Sequence, residues 1–130
     1  MAEALEATGG REAEVATHWL EARDAARARD ALLRAAEAAR AVRAHGDAAR
    51  GGRQALDLWP DDGDTEGRIG ALGAYAASAE LSGEPAEAAR AWREISALAA
   101  SQGAPERMAI AERRLAAVND LTGDREAALK

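Results

Sequence analysis

The sequence predicts an all-α domain built from antiparallel helix–turn–helix repeats, and three observations carry that expectation. Alanine supplies 38 of the 130 residues, and it is the best helix former because its side chain loses no rotamer freedom. Strand-favouring residues are scarce, with one Tyr and no Phe, and no segment alternates at period two. Turn signals recur along the chain, with small residues at matching offsets on either side of them.

A chain of 130 residues is long enough for one domain with a continuous core. Its thin side chains require helices to approach closely before they gain contact. The net charge is −6 and the Arg residues are interleaved with Glu and Asp. A basic face of the kind that holds nucleic acid is therefore not expected. Apolar runs are far shorter than the roughly 18–20 residues a bilayer crossing needs. Met1–Gly10 carries neither the basic nor the apolar region of a secretory signal. With no Cys there is no disulfide framework. A cytoplasmic location is the expectation.

The elements follow in chain order. Residues 1–10 form a segment expected to fray. Residues 11–22 place Val15, Trp19 and Ala22 on one side, and Arg23-Asp24 marks a turn. Residues 24–45 set Ala28, Leu32, Ala35, Ala39 and Val42 in one stripe, ending at His45-Gly46-Asp47. Residues 47–59 group Gly52, Ala55, Leu56 and Trp59 before an acidic loop. Residues 65–82 group Ile69, Leu72, Tyr75, Ala76 and Ala79. Residues 85–102 group Ala88, Trp92, Ile95 and Ala99, and residues 105–122 group Met108, Ala111, Leu115 and Val118. Gly83 with Pro85, and Gly103 with Pro105, repeat the same stop-and-start grammar. Asp47, Asp64 and Asp124 are candidate N-caps. A seventh helix is expected to open at Asp124, so that 11–130 holds six helices and a truncated last repeat.

Aligning Gly46, Gly83 and Gly123 gives spacings of 37 and 40 residues. Ala39, Ala76 and Ala116 then fall seven positions before the glycines, and Gly51, Ala88 and Ala128 five after. Small residues at both places let two antiparallel helices cross closely. In these residues, and most fully in Leu72–Trp92, the chain resembles the tetratricopeptide repeat (TPR). It has a small residue in the first helix, a turn Gly83, Ala88 after the turn and Trp92 four residues later. The resemblance implies a TPR-like α-solenoid of about 6–7 helices. Val15–Asp24, Leu33–Ala39 and Gln54–Trp59 are similar to the helical arms of large actinobacterial ATPase regulators. Those arms accompany a LuxR-type DNA-binding domain or a nucleotide cyclase.

Sites of chemistry are not expected. His45 sits beside a turn, where a helix C-terminus would favour a cation, and His18 adjoins Trp19. Neither has Cys or carboxylate companions at metal-ligand spacing. Asp61, Asp62, Asp64 and Glu66 cluster around Gly63 but miss the EF-hand spacing. Lys130 is the only Lys, so no phosphate-cradling Gly-rich loop with a Lys exists. Ser78, Ser82, Ser96 and Ser101 lack an activating His or Lys pattern. No cofactor or metal is expected.

The TPR resemblance implies that Arg40, Arg43, Glu80, Arg113 and Asp120 line the groove that receives a protein or peptide partner. Core filling is the first reading of Trp19, Trp59 and Trp92, and Trp59 is the candidate for an exposed anchor. The expected function is protein–protein interaction within a larger signalling or transcription-regulating ATPase, with a stand-alone adaptor as the alternative and an all-α enzyme behind both. Self-association through the 105–130 end is expected, because Leu115, Val118 and Leu121 would be left uncovered by the truncated helix.

Overall fold

The computed structural model describes residues 10–60 and 63–129, with side chains for 20–60, 63–121 and 123. Five helices and no strand lie among them. They are α1 (Gly10–Ala41), α2 (His45–Asp57), α3 (Thr65–Leu81), α4 (Pro85–Ser101) and α5 (Pro105–Leu129). No helix among the described residues is long and apolar enough to cross a membrane. Residues 1–9, Asp61, Asp62 and Lys130 lie outside the described residues.

Three connections share one geometry. After α1, α3 and α4 the chain turns through Arg43, Gly83 and Gly103, all with positive φ, at 61°, 82° and 64°. The amide of the next residue reaches back across the turn in each case. Ala44 N donates to Ala39 O at 2.8 Å, Glu84 N to Ala79 O at 2.8 Å, and Ala104 N to Ala99 O at 2.9 Å. The turn residues themselves donate to Arg40 O, Glu80 O and Ala100 O. This is the Schellman closure, which satisfies carbonyls that a helix end would otherwise orphan. Short connections of this kind fold the chain back on itself. Each helix makes its substantial contacts with its neighbour in sequence, from α1–α2 to α4–α5.

The equivalence of these turns corrects the alignment on Gly46. The partner of Gly83 is Arg43, forty positions earlier, and Gly46 lies inside the first turn of α2. Shifting the frame by three places Ala36 where Ala39 stood and Ala48 where Gly51 stood. Ala36, Ala48, Ala76 and Ala88 are all buried. Burial of the two alanine methyls outranks the local preference for glycine, and Arg43 takes a left-handed backbone that costs roughly 1–2 kcal/mol.

Other boundaries move for related reasons. Arg23-Asp24 does not interrupt α1, so the expected helices 11–22 and 24–45 are one. The pair contains neither Gly nor Pro and is followed by Ala25-Ala26. Likewise Thr122-Gly123-Asp124 does not end α5, and there is no separate seventh helix. Gly83 and Gly103 are each followed two residues later by Pro, whereas Gly123 leads into Asp-Arg-Glu-Ala. Asp47 pairs with Arg50 and caps nothing, because Ala44 is the N-cap of α2. Asp64 is the N-cap of α3, without a side-chain cap bond. His45 opens α2 instead of closing α1, and its Nδ1 is buried without a partner.

The core runs along the middle of this stack. Leu56, Leu72, Tyr75, Trp92 and Ile95 supply its bulk, with Ala76, Ala79, Ala88, Ala91 and Ala111 between them. Of the expected α1 stripe, Leu32 and Ala39 are half-buried beside the buried Ala36, while Ala28, Ala35 and, just past the helix end, Val42 are exposed. At the other end Val118 is 2% exposed and Leu115 packs on the core, which leaves only Leu121 of that trio in solvent. Among the described side chains of α5, the large hydrophobics left exposed are Ile110 and Leu121. Where α3 buries Leu72, Ala76 and Ala79, the positions forty later in α5 are Glu112, Ala116 and Asn119, all exposed.

Two expected outcomes test this register. Ala88→Leu adds volume at a fully buried position and should lower stability by about 1–3 kcal/mol in denaturant titration. At the turns the signs should oppose: Arg43→Gly should stabilise by about 1 kcal/mol and Gly83→Ala should destabilise by a similar amount. Equal signs at the two positions would break the equivalence.

Candidate functional site

The helices enclose a cleft of about 540 Å³ whose walls are α3 and α5, with Arg40 of α1 at one side and Trp92 and Ile95 of α4 beneath. Its α3 wall is nearly bare. Gly70, Gly73, Ala74 and Ala77 line it in succession, at the three- and four-residue steps that keep one side of a helix together. A Cβ at Gly70 or Gly73 would meet nothing within 4 Å. Gly67, one turn earlier, is different: a Cβ there would collide with Asp64 and come within 3.1 Å of the Trp59 ring. A Cβ at Gly67 would require Asp64 and the Trp59 ring to shift, whereas one at Gly70 or Gly73 would require nothing to move.

Ile69 and Ile110 add apolar surface to the walls, and Ile110 is 50% exposed. Two ion pairs hold α3 to α5 along the cleft. Arg107 donates to both oxygens of Glu66 at 2.6 and 2.5 Å. Arg114 reaches Glu80 at 3.4 Å, and its guanidinium lies 5.2 Å from the centroid of the Trp92 ring. Trp92 Nε1 donates to the same Glu80 carboxylate at 2.9 Å. The indole thus forms the cleft floor with its polar edge satisfied.

The expected groove residues are distributed unevenly around this cleft. Arg40 lines it and pairs with Glu37 one turn back. Glu80 is outside the cleft lining, and its carboxylate is committed to Trp92 and Arg114. Arg43 is not on a helix face at all, because it is the left-handed residue of the α1–α2 turn. Arg113 and Asp120 lie on the exposed side of α5 outside the cleft lining. Trp59 is half-buried in the α2–α3 connection. Its Nε1 donates to Asp64 O at 3.2 Å and the Arg29 guanidinium stands 4.6 Å over its ring. It locks the loop to α1 instead of offering a free anchor. Sequence reasoning passed over Gly70, Gly73, Ile110 and Arg107, and took Ile69 only as part of an apolar stripe. The spacing Gly67-x-x-Gly70-x-x-Gly73 was the available signal.

On the opposite side of the stack, Arg53 of α2, Tyr75 of α3 and Glu87 of α4 form a polar junction. Arg53 donates to Glu87 at 2.5 Å and to the Tyr75 hydroxyl at 3.4 Å, and that hydroxyl donates to Glu87 at 3.0 Å. The Tyr75 hydrogen bond, seconded by Arg53 and Arg90, holds the Glu87 carboxyl below the usual range against its own desolvation. Burial pushes the Tyr75 phenol up; Glu87 adds to that and Arg53 opposes it. Arg68 makes a comparable two-pronged contact with Glu94 between α3 and α4. Among the described residues no cluster of His, Cys, Asp or Glu could hold a metal ion.

No family model, curated protein or solved structure matches this chain.

The Arg53–Tyr75–Glu87 junction has a pH signature. Glu87 is depressed in the folded state, so it contributes stability above the unfolded carboxylate pKa that is lost as pH falls through the folded value. Glu87→Gln should therefore flatten the loss of stability on acidification below the ordinary carboxylate range. Tyr75 is the only Tyr in the chain, so its phenolate absorbance titrates alone. Its midpoint should lie above that of free tyrosine and drop in Glu87→Gln. A midpoint at the free value would mean that the junction does not form.

Proposed function

We propose that this chain is a TPR-like helical repeat module that holds a protein or peptide partner in the cleft between α3 and α5. Its setting is a larger signalling or transcription-regulating ATPase. The reading draws on the shared closure of the turns at Arg43, Gly83 and Gly103, the chain-order contacts of the helices and the position of the cleft.

One observation carries the reading. Gly70 and Gly73 sit in the interior of α3 with open space beside them. Each costs roughly 0.8–1 kcal/mol of helix stability relative to Ala, and nothing inside the molecule requires either. A bare backbone in an apolar cleft suits the close approach of something from outside. Ile69, Ile110 and the Trp92 floor would receive its apolar side. Arg40, Arg107 and Glu66 would set its orientation at the rim.

The test is peptide selection on the purified protein, with affinities then measured on variants. Selected peptides should bind the parent chain and lose at least about tenfold in affinity, or about 1.4 kcal/mol, against Gly73→Leu. They should be indifferent to Gln54→Arg on the opposite side. Gly73→Ala alone should raise stability by about 1 kcal/mol in denaturant titration. Peptides that bind Gly73→Leu as well as the parent would place the partner site elsewhere.

A further inference from the structure

Among the described residues Ser78 is the buried polar one, with 2% of its surface exposed. A serine inside a helix commonly turns its hydroxyl back onto a carbonyl of the preceding turn. Ser82 does so with Ala79 O at 3.2 Å, and Ser101 with Leu98 O at 2.7 Å. The Ser78 hydroxyl has no hydrogen-bond partner among the described residues. A hydroxyl desolvated in this way is costly, and protein interiors keep few of them. Its place in the fold shows what it faces. Ser78 lines a cavity of about 90 Å³ where α1, α2 and α3 meet. Leu33, Ala36, Ala48 and Ala71 make apolar wall there, and Tyr75 joins them with its hydroxyl spent on Glu87.

The polar remainder of the lining is Ser78 at depth, with Glu37 and Arg40 of α1 nearer to solvent, their side chains 72% and 39% exposed. Arg40 and Ala74 line this cavity and the α3–α5 cleft alike, so the two adjoin. Size, charge and hydrogen bonding then define an occupant. The volume exceeds the roughly 10–15 Å³ that a water-sized group needs. It falls well short of the roughly 300 Å³ at which whole ligands are held, so the cavity takes a group and not a molecule. Arg40 Nη1 pairs with Glu37 at 2.9 Å, which leaves the polar wall neutral. A charged head would lose its water here and gain no counter-charge. Glu37 only accepts hydrogen bonds, the Arg40 guanidinium only donates them, and Ser78 does both. The answering group is neutral, with donor and acceptor on separate atoms. A carboxamide has that form, whereas a hydroxyl carries both on one oxygen.

We infer that this cavity is a carboxamide subsite, entered past Arg40 by the side-chain amide of an Asn or Gln on the partner. The amide oxygen accepts from Ser78 and the amide nitrogen donates to Glu37. That the amide arrives on a protein or peptide rests on the cleft being the partner site, as proposed above. The preference of the cavity for a neutral amide does not. The cleft holds the apolar side of the partner, and the subsite selects the residue beside it.

Titration of the isotopically labelled full chain with propionamide, read by backbone amide shifts, tests this without a partner. Propionate, propylamine and propanol at neutral pH are the comparators, with a negative head, a positive head and a hydroxyl on a similar stem. Propionamide should give saturable shifts at Gly52, Ala74 and Ser78. The charged probes should give none there, and propanol should bind more weakly. Ser78→Ala should weaken propionamide by about fivefold, the worth of one hydrogen bond. The denaturation midpoint of that variant should stay at or above the parent's, because no internal bond is lost. Shifts absent from those positions, equal binding of propionate, or an undiminished response in Ser78→Ala overturns the inference. So does a lowered midpoint in Ser78→Ala, which would mean that the hydroxyl is already bonded within the molecule. Selected peptides separate the two readings. Affinity lost to Gly73→Leu but untouched by Ser78→Ala removes the amide subsite and leaves the cleft reading standing. Indifference to Gly73→Leu beside specific propionamide binding does the reverse.

Discussion

The structure depends on how little side chain stands between its helices. A Cβ at Gly51 would already touch the Ala36 methyl at 3.4 Å, and one at Gly52 would touch Tyr75 at the same distance. Ala76, Ala79, Ala88 and Ala99 are fully excluded from solvent. Alanine and glycine at a crossing let helix backbones approach toward the short end of the usual interaxial range. Dispersion between closely spaced backbones then does what large side chains do in an ordinary core. The few bulky residues, Leu56, Leu72, Tyr75, Trp92 and Ile95, fill what the close approach leaves open.

Thin side chains also explain where the charges lie. Helices this close expose long polar side chains along their edges, and Arg–Glu pairs bridge them there. Arg53–Glu87, Arg68–Glu94, Arg107–Glu66 and Arg114–Glu80 each join different helices. Exposed pairs of this type are worth about 0–1 kcal/mol each. Their value lies in fixing which edge faces which, and hence the width of the α3–α5 cleft. Trp92 ties the two scales together, since its ring is core and cleft floor while its Nε1 and its Arg114 neighbour belong to the bridging network.

Much of this was legible in the sequence where chemistry punctuates the chain. Gly83-x-Pro85 and Gly103-x-Pro105 gave the limits of α3 and α4 to within a residue, and the inward residues of both helices followed from their period. Reading failed where packing overrode a local signal. Arg43 adopts the backbone that Gly46 was expected to supply, because the alanines on either side fix the register. Arg23-Asp24 and Thr122-Gly123 carry polar or flexible residues but no Pro, and the helix passes through them. The cleft was only partly visible. Arg40 stood among the groove residues that the TPR resemblance implies and lines the cleft, while the pairing of Arg107 with Glu66 spans 41 residues and has no trace in local sequence. The glycines of α3 were in plain view, yet only the structure separates Gly67, where a Cβ would crowd Asp64 and the Trp59 ring, from Gly70 and Gly73, where it would meet open space.

The central claim is that the helices stack in chain order through these close crossings. Interproton NOE spectroscopy on isotopically labelled protein tests it most directly. The account predicts cross-peaks from Gly51 Hα to the Ala36 methyl and from Gly52 Hα to the Tyr75 ring, both contacts between sequential helices. Absence of these peaks, with a dominant set joining α1 to α4 or α5 around a common centre, would contradict the stacked arrangement and everything built on its cleft.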